Sequence, residues 1–202
     1  MKYVMLPCRR WQECAAAEVG TVPGRLKILK SKTIYAGRIV DVKLERIVEP
    51  GGVAAEREVV YHPGSVVVVP RLADGRVILV RQYRYAARQE LWELVAGGLE
   101  PGESPLQAAR RELQEEAGFR AHHCKLLLDF YPSPGVLSER MFLVEASGLA
   151  PTPTRPDADE RIEVGTFTLT QVQNMLRQKK LHDGKTLVGL LWMLRTLPQP
   201  AP

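Results

Sequence analysis

The densest group of residues that could do chemistry is a set of glutamates between Gly97 and Phe119. Glu112 and Glu116 are four residues apart, which places them on one face of a helix, and Glu115 borders that face. Two carboxylates about 4 Å apart repel by roughly 4 kcal/mol at an effective dielectric constant of about 20. Mg²⁺ takes oxygen ligands and is usually held by one or two carboxylates with substrate phosphates. The spacing therefore favours a divalent-cation site, although for glutamates alone a solvated acidic surface is the simpler interpretation.

The element that would carry these glutamates is a helix anchored on its opposite side. Apolar residues at helical spacing predict a buried face, namely Leu106, Ala109, Leu113 and Ala117. Glu103, Ser104 and Pro105 mark the start of the helix, and Gly118 marks its end. An anchored helix presents its acidic face in a fixed orientation, which favours a binding site over a merely wet surface.

The spacing of this whole stretch resembles the Nudix box. The matching positions are Gly97, Glu103, Arg111-Glu112-Leu113, Glu115-Glu116 and Gly118-Phe119, with no departure from the motif. The resemblance implies an α/β fold, namely an α/β/α sandwich with a mixed sheet. It also implies hydrolysis of a nucleoside diphosphate linked to another group, with Mg²⁺, or Mn²⁺ in its place, as the cofactor.

The resemblance also implies how the box residues act on a metal. Glu112 and Glu116 are the first expected ligands and Glu115 the next, and Ala96 would add its backbone carbonyl. Further box residues would shape the site: Arg111 would orient a carboxylate or simply pair with Glu115, Glu103 would orient the loop or cap the helix, and Gly97 and Gly98 would allow a tight turn.

A base that activates water is expected outside this helix, because the helix carboxylates would be neutralised by metal. In the branch of the Nudix family that this chain resembles, the ADP-ribose pyrophosphatases, a catalytic glutamate lies in the segment that corresponds to residues 155–162. Glu160 matches that glutamate best. The sequence departs from relatives at Ala158, a position that is often acidic. Asp157, Asp159 or Glu139 could serve instead, and a solvated acidic loop is the alternative for each.

Substrate class is indicated by the segment 131–140, which reads YPSPGVLSER. Pro134 lies sixteen residues after Gly118, an offset that resembles the marker of the ADP-ribose pyrophosphatase branch. In relatives, residues at the positions of Arg84 and Glu93 contact the phosphates and ribose, with Arg81 as an alternative. An arginine suits a diphosphate because its fork binds oxygens bidentately.

Other substrate contacts are weaker predictions. Glu139 is a further candidate, and Arg57 and Glu58 would touch the adenosine across a dimer interface unless they are ordinary surface charges. Tyr35, Tyr61 and Tyr83 are candidates for stacking on adenine, although packing is the favoured interpretation for each.

Alternating and continuous apolar patterns predict the remaining elements. Strands are expected at 26–35, 39–48, 56–61, 65–70, 77–83, 90–96, 125–131, 141–145 and 163–169. Helices are expected at 170–177, capped by Thr170, and at 185–197, with a short helix at 13–19 and a loop at 148–159. Residues 1–62 would form a small antiparallel sheet segment, 63–197 the catalytic domain and 198–202 a frayed tail. By resemblance, the first segment exchanges between the subunits of a homodimer.

The charge and composition of the chain indicate which partners and which compartment to expect. The chain has a net charge of +5, which suits an anionic substrate, and lacks a basic cluster interleaved with aromatics, so nucleic acid is not expected. No apolar run reaches the length of a membrane span. The three cysteines, Cys8, Cys14 and Cys124, lack metal-site spacing and fit free thiols in a reducing compartment, so a cytoplasmic location is predicted.

The sequence thus predicts Mg²⁺-dependent hydrolysis of ADP-ribose or a related ADP-sugar to AMP and ribose 5-phosphate. One alternative is a Nudix hydrolase of another nucleotide sugar or a dinucleotide. The other is a non-catalytic ADP-ribose-binding sensor, which would be expected to carry a degraded box or an added DNA-binding segment.

Overall fold

Three sheets and three helices make up the part of the chain that the computed structural model describes, residues 24–154 and 161–196. The strands are β1 (Lys27–Ala36), β2 (Asp41–Val48), β3 (Ala54–Tyr61), β4 (Ser65–Pro70), β5 (Val77–Arg84), β6 (Gln89–Glu93), β7 (Val95–Gly98), β8 (Phe119–Phe130), β9 (Met141–Pro151) and β10 (Glu163–Phe167). The helices are α1 (Pro105–Ala117), α2 (Leu169–Arg177) and α3 (Gly184–Thr196). No helix in this part of the chain is long and apolar enough to cross a membrane.

The central sheets are arranged around β4. One has the strand order β7-β4-β9-β8, in which β4 and β9 run parallel and the other neighbours antiparallel. The second has the order β10-β5-β6 and is antiparallel throughout. The predicted mixed sheet is therefore present.

Alternating side chains of β4 supply both faces of the core. Val66 and Val68 pack with α1, whereas Val67 and Val69 pack with α2 and α3. All six residues of β4 are buried, as its continuous apolar run predicts for a strand covered on both sides. The predicted α/β/α sandwich is confirmed.

Local sequence signals fix both ends of α1. Ser104 accepts a hydrogen bond from the backbone N–H of Gln107, whose side chain bonds back to the backbone N–H of Ser104. Pro105 occupies the first helical position, and Gly118 ends the helix in the left-handed conformation with φ of 71°. The cap is therefore formed by Ser104 and Gln107, and Glu103 is available to other partners.

The single strand predicted at 90–96 is wrong, because the segment divides between the two central sheets. Glu93 ends β6, which pairs with β5, and Val95 begins β7, which pairs with β4. Between them, the backbone N–H of Leu94 donates to Thr186 Oγ1 at 2.8 Å instead of to a strand. A contact with α3 that no local pattern encodes thus breaks the strand.

Three further boundaries differ from the predictions. Strand β8 begins at Phe119 and not at residue 125, and β9 extends to Pro151 and not only to residue 145. The loop predicted at 148–159 therefore begins after Pro151. Gly148, which suggested a turn, lies within β9 with φ of 64°. Helix α2 is capped by Thr168, whose side chain accepts from the N–H of Gln171, and not by Thr170.

The first three strands form the predicted small antiparallel sheet, in the order β1-β2-β3. It joins the rest of the molecule through β3, where Val60 donates to the carbonyl of Val136 and accepts from the N–H of Ser138. Every residue of β1 is exposed. The helix predicted at 13–19 and the tail at 198–202 lie outside the described residues, and the proposed division at residue 62 stays a prediction.

Candidate active site

A cleft of about 710 Å³ opens beside the acidic face of α1. It is bounded by α1, by the ends of β5 and β7, and by the turn between β1 and β2. The residues that line it are Arg38, Ile39, Gln82, Tyr83, Arg84, Ala96, Gly97, Gly98, Glu100, Arg111, Glu112, Glu115, Glu116 and Arg161.

One wall of the cleft holds carboxylates packed against the backbone of β7. Glu112 and Glu116 are only 8% and 5% exposed. The backbone N–H of Ala96 donates to Glu116 Oε2 at 3.2 Å, and a Cβ built on Gly97 would overlap the Glu112 carboxylate. A side chain at Gly97 would displace the Glu112 carboxylate, so the glycine leaves room for that carboxylate beside β7.

Arg111 ties the carboxylates of this wall together. It donates to Glu112 at 2.6 Å, to Glu115 at 3.1 Å and to the carbonyl of Gly98 at 2.9 Å. It also donates two hydrogen bonds to Glu103, which raise the pKa of the Arg111 guanidinium and lower the pKa of the Glu103 carboxyl. The structure thus contains both arrangements that the sequence left open for Arg111, the bridge between carboxylates and the pair with Glu115.

The chemistry of this wall fits a hard divalent cation. Its donors are carboxylate oxygens on Glu112, Glu115 and Glu116 and the backbone of Ala96, all bordering one cleft. Within residues 24–154 and 161–196, no three acidic, histidine or cysteine side chains converge as a ready-made cage. Arg111 pairs with Glu103, Glu112 and Glu115 and lies 4.0 Å from Glu100. The carboxylates of this wall are the oxygen ligands that such a cation would use.

The wall formed by the end of β5 presents a guanidinium, that of Arg84, to the cleft. Arg84 donates from Nε to Glu93 Oε1 at 2.8 Å and from Nη2 to Glu93 Oε2 at 2.7 Å. This bidentate pair raises the pKa of Arg84. The side chain of Glu93 is 1% exposed, so it lies beneath Arg84 and not on the surface of the cleft. Arg84 lines the cleft, and its contact with phosphate stays a prediction. Glu93 supports that arginine from below.

Other predicted substrate residues lie away from the cleft in this single chain. Arg81 is paired with Glu90 and Glu163. Arg57 donates to Glu49 at 2.5 Å, and Glu58 is an exposed residue of β3. Contacts of Arg57 and Glu58 across a dimer interface remain predictions.

None of the carboxylates suggested as the base that activates water lines the cleft among the described residues. Glu160, like Asp157 and Asp159, lies outside the described residues. Glu139 accepts from Ser65 Oγ at 2.7 Å, lies 3.6 Å from His62 Nδ1 and does not line the cleft. Of the tyrosines suggested for stacking, Tyr83 lines the cleft, whereas Tyr61 donates to Glu45 and Tyr35 is exposed.

The sequence reasoning missed several cleft residues. Arg38 and Ile39 belong to the turn that joins β1 to β2, and Gln82 and Arg161 come from β5 and from the segment before β10. No spacing connects these residues with the box. The one signal available was a basic residue directly after Gly37, between the strands predicted at 26–35 and 39–48.

Comparison with known proteins places this cleft in a family. The NUDIX domain model matches residues 61–188, more than half of the chain. A protein of Bacillus methanolicus named methanol dehydrogenase activator is 32% identical over 83% of this chain and 91% of its own length. The ADP-ribose pyrophosphatase of Bacillus subtilis is 33% identical over the same shares of the two chains.

A solved structure of similar fold points to the same family. The crystal structure of an ADP compounds hydrolase superposes with a TM-score of 0.74 at 25% identity and covers 86% of this chain and 94% of its own. The segment matched by the family model contains the intact box, the acidic wall and Arg84. The chain therefore belongs to the Nudix hydrolase family.

Proposed function

We propose that the protein is a Mg²⁺-dependent pyrophosphatase that cleaves the diphosphate link of ADP-ribose or a related ADP-sugar, giving AMP and ribose 5-phosphate. The observation that carries this proposal is that carboxylates and an arginine line the same cleft. Glu112 and Glu116 offer oxygens to a cation, and Arg84 offers a guanidinium to an anion. A metal-bound diphosphate is the ligand that needs both.

Each wall has a defined part in this reaction. A divalent cation held by Glu112, Glu116, Glu115 and the carbonyl of Ala96 would offset the charge of the diphosphate and lower the pKa of a bound water. Arg111 holds two of these carboxylates in place through its hydrogen bonds to Glu112 and Glu115. Arg84 is a fixed, always charged donor for the phosphate oxygens.

Glu160 remains the proposed base that takes the proton of the attacking water. It directly precedes Arg161, which lines the cleft. The other carboxylate suggested for this task, Glu139, is bonded to Ser65. Glu160→Gln is expected to lower kcat while the affinity for ADP-ribose stays near the wild-type value.

The names of the relatives support the substrate class. Relatives from Bacillus subtilis and Mycobacterium tuberculosis are named ADP-ribose pyrophosphatase. The name of the Bacillus methanolicus relative describes an activator of another enzyme, which keeps a regulatory function as the second candidate. The intact acidic wall favours hydrolysis, because binding without cleavage does not require it.

Product analysis with ADP-ribose in ¹⁸O-labelled water and excess Mg²⁺ tests the proposal. We expect AMP and ribose 5-phosphate, with the label in one of them identifying the phosphorus attacked. A parallel panel should include a GDP-sugar and a dinucleotide, and turnover of either that equals that of ADP-ribose would overturn the substrate assignment. Tight binding of ADP-ribose without any phosphate-monoester product would favour the regulatory candidate.

Glu116→Gln tests the assignment of the metal ligands. The substitution keeps the size of a side chain that accepts from Ala96 and removes its charge. We expect it to abolish most turnover at an unchanged melting temperature. Undiminished turnover would show that the metal is bound elsewhere.

A further inference from the structure

Lys185, at the start of α3, lies behind the arginine wall of the cleft. Its Nζ donates to Glu93 Oε2 at 2.5 Å, and Glu93 in turn holds Arg84 through two hydrogen bonds. The side chains of Lys185 and Glu93 are 12% and 1% exposed, so water screens their interaction poorly. Glu93 is therefore a buried carboxylate shared between two cations, only one of which, Arg84, lines the cleft.

The position of Lys185 is itself fixed by the helix start. Asp183 Oδ1 accepts from Lys185 Nζ at 2.9 Å, and Asp183 Oδ2 accepts from the backbone N–H and the hydroxyl of Thr186 at 3.0 and 2.6 Å. Thr186 also accepts from the backbone N–H of Leu94. Adjacent residues of α3 thus hold adjacent residues of the β6–β7 junction, Lys185 the side chain of Glu93 and Thr186 the backbone of Leu94.

The charges alternate along this chain of contacts, from Arg84 to Glu93, Lys185 and Asp183. A buried carboxylate with a single cationic partner would direct its whole charge at that partner. Lys185 balances part of the negative charge of Glu93. Glu93 therefore offsets less of the positive potential that Arg84 presents to the cleft. The same contact fixes the orientation of Glu93, and through it the direction of the guanidinium.

We propose that Lys185 is a positioning residue for substrate binding, which acts through Glu93 to keep Arg84 oriented and electrostatically available to the diphosphate. This rests on the proposed function in one respect, that Arg84 binds the diphosphate. Lys185 itself does not line the cleft.

Steady-state kinetics of Lys185→Met with ADP-ribose and excess Mg²⁺ tests the inference. Methionine keeps the length of the side chain and removes its charge. We expect KM to rise about tenfold and kcat to stay within about twofold, because an interaction with the diphosphate is made in the ground state as well as in the transition state. Lys185→Arg, which keeps the charge, should restore most of the affinity. Lys180→Met, which removes an exposed lysine just before α3, should leave KM unchanged.

The decisive comparison is a double-mutant cycle with Arg84→Met. If Lys185 acts through Arg84, then Lys185→Met changes KM by less than about twofold in the Arg84→Met background. A full tenfold rise in that background would overturn the inference, and so would an unchanged KM in Lys185→Met alone. If Arg84→Met itself leaves KM unchanged, the fault lies in the assignment of Arg84 and hence in the proposed function.

Melting temperatures separate positioning from folding. Lys185→Met and the shorter polar variant Lys185→Gln should both melt cooperatively and show the same rise in KM. Failure of both variants to fold would assign Lys185 to the stability of α3 and would overturn the inference.

Discussion

At the scale of single residues, the most constrained position of the site is Gly97. A Cβ at Gly97 would overlap the Glu112 carboxylate, which Arg111 holds at 2.6 Å and which therefore has little room to withdraw. We predict that Gly97→Ala lowers kcat/KM about tenfold to a hundredfold, the range observed when the support of a metal ligand is disturbed. The measurement is a Mg²⁺ titration of ADP-ribose hydrolysis, in which the variant should need more metal.

The neighbouring glycine provides the control for this substitution. A Cβ on Gly98 meets no atom within 4 Å, so Gly98→Ala adds the same methyl group without touching a ligand. We expect wild-type metal dependence from this variant. Equal losses in the two variants would mean that the backbone freedom of the turn matters, and not the space beside Glu112.

The pair of Glu103 and Arg111 makes a prediction about pH. Because Arg111 holds the pKa of Glu103 below its usual 4.5, the folded state binds this proton less readily than the unfolded state. The stability that the pair contributes is therefore present above about pH 4.5 and is lost as the pH falls through the folded-state pKa. Glu103→Gln should lower the free energy of unfolding by about 1–3 kcal/mol at neutral pH and flatten its fall in acid.

Urea unfolding at a series of pH values measures this effect. Glu100→Gln is the control, because the Glu100 side chain is largely exposed and lies 4.0 Å from Arg111. A Glu103→Gln variant that loses stability in acid as steeply as the wild type would contradict the assignment of this carboxyl.

Sequence spacing identified the residues that act together within one element. Glu112, Glu115, Glu116 and Arg111 share a helix, so the helical period alone brings them to one face. Arg38 and Lys185 could not be found this way, because Arg38 lines the cleft from a distant turn and Lys185 contacts Glu93 from the last helix. Their placement depends on tertiary packing, which a period does not encode.

At the scale of elements, α3 depends on a glycine for its close approach to the sheet. A Cβ on Gly189 would overlap Leu94 and lie 3.0 Å from Leu143 Cδ1 and 3.5 Å from Val69 Cγ2, in a fully buried region. Gly189→Ala gains roughly 1 kcal/mol of helix propensity but overpacks the core by about 1–3 kcal/mol. We predict a net loss of about 1 kcal/mol in the free energy of unfolding by urea.

Gly184→Ala is the matched substitution at the first residue of the same helix. Its Cβ would meet nothing within 4 Å, so stability should change by less than about 0.5 kcal/mol. Stabilisation by Gly189→Ala would show that α3 can move away from Leu94. Such a movement should also disturb Lys185 and raise KM for ADP-ribose.

Elements with strong local signals were predicted well, and elements defined by partners were not. Helix α1 carries its own capping residues, and β4 carries a continuous apolar run. The division between β6 and β7 depends on a hydrogen bond from Leu94 to Thr186, which are far apart in sequence. Strand β9 continues through Gly148 because it pairs with β8, which outweighs the turn preference of its composition.

At the scale of the whole molecule, the N-terminal sheet lacks a core of its own. Ile47 is the single buried apolar side chain among residues 24–62. Strand β1 is an edge strand with large apolar side chains in solvent, namely Ile28, Leu29, Ile34 and Tyr35. Edge strands with exposed apolar residues invite pairing with another chain. The predicted homodimer would give this sheet a partner and would bring Arg57 and Glu58 of one copy toward a cleft of the other.

Light scattering coupled to gel filtration tests the predicted homodimer. Ile34→Glu places a charge on the exposed face of β1 and should convert a dimer into a monomer, because an unpaired buried charge is costly. Leu191→Glu is the control, since Leu191 on α3 and Ile34 are both 56% exposed, and it should leave the dimer intact. If the dimer supplies Arg57 and Glu58 to the substrate, KM for ADP-ribose should rise in the monomeric variant. A wild-type chain that is monomeric at the concentrations of the assay, or an Ile34→Glu variant that remains a dimer, would contradict pairing through this sheet.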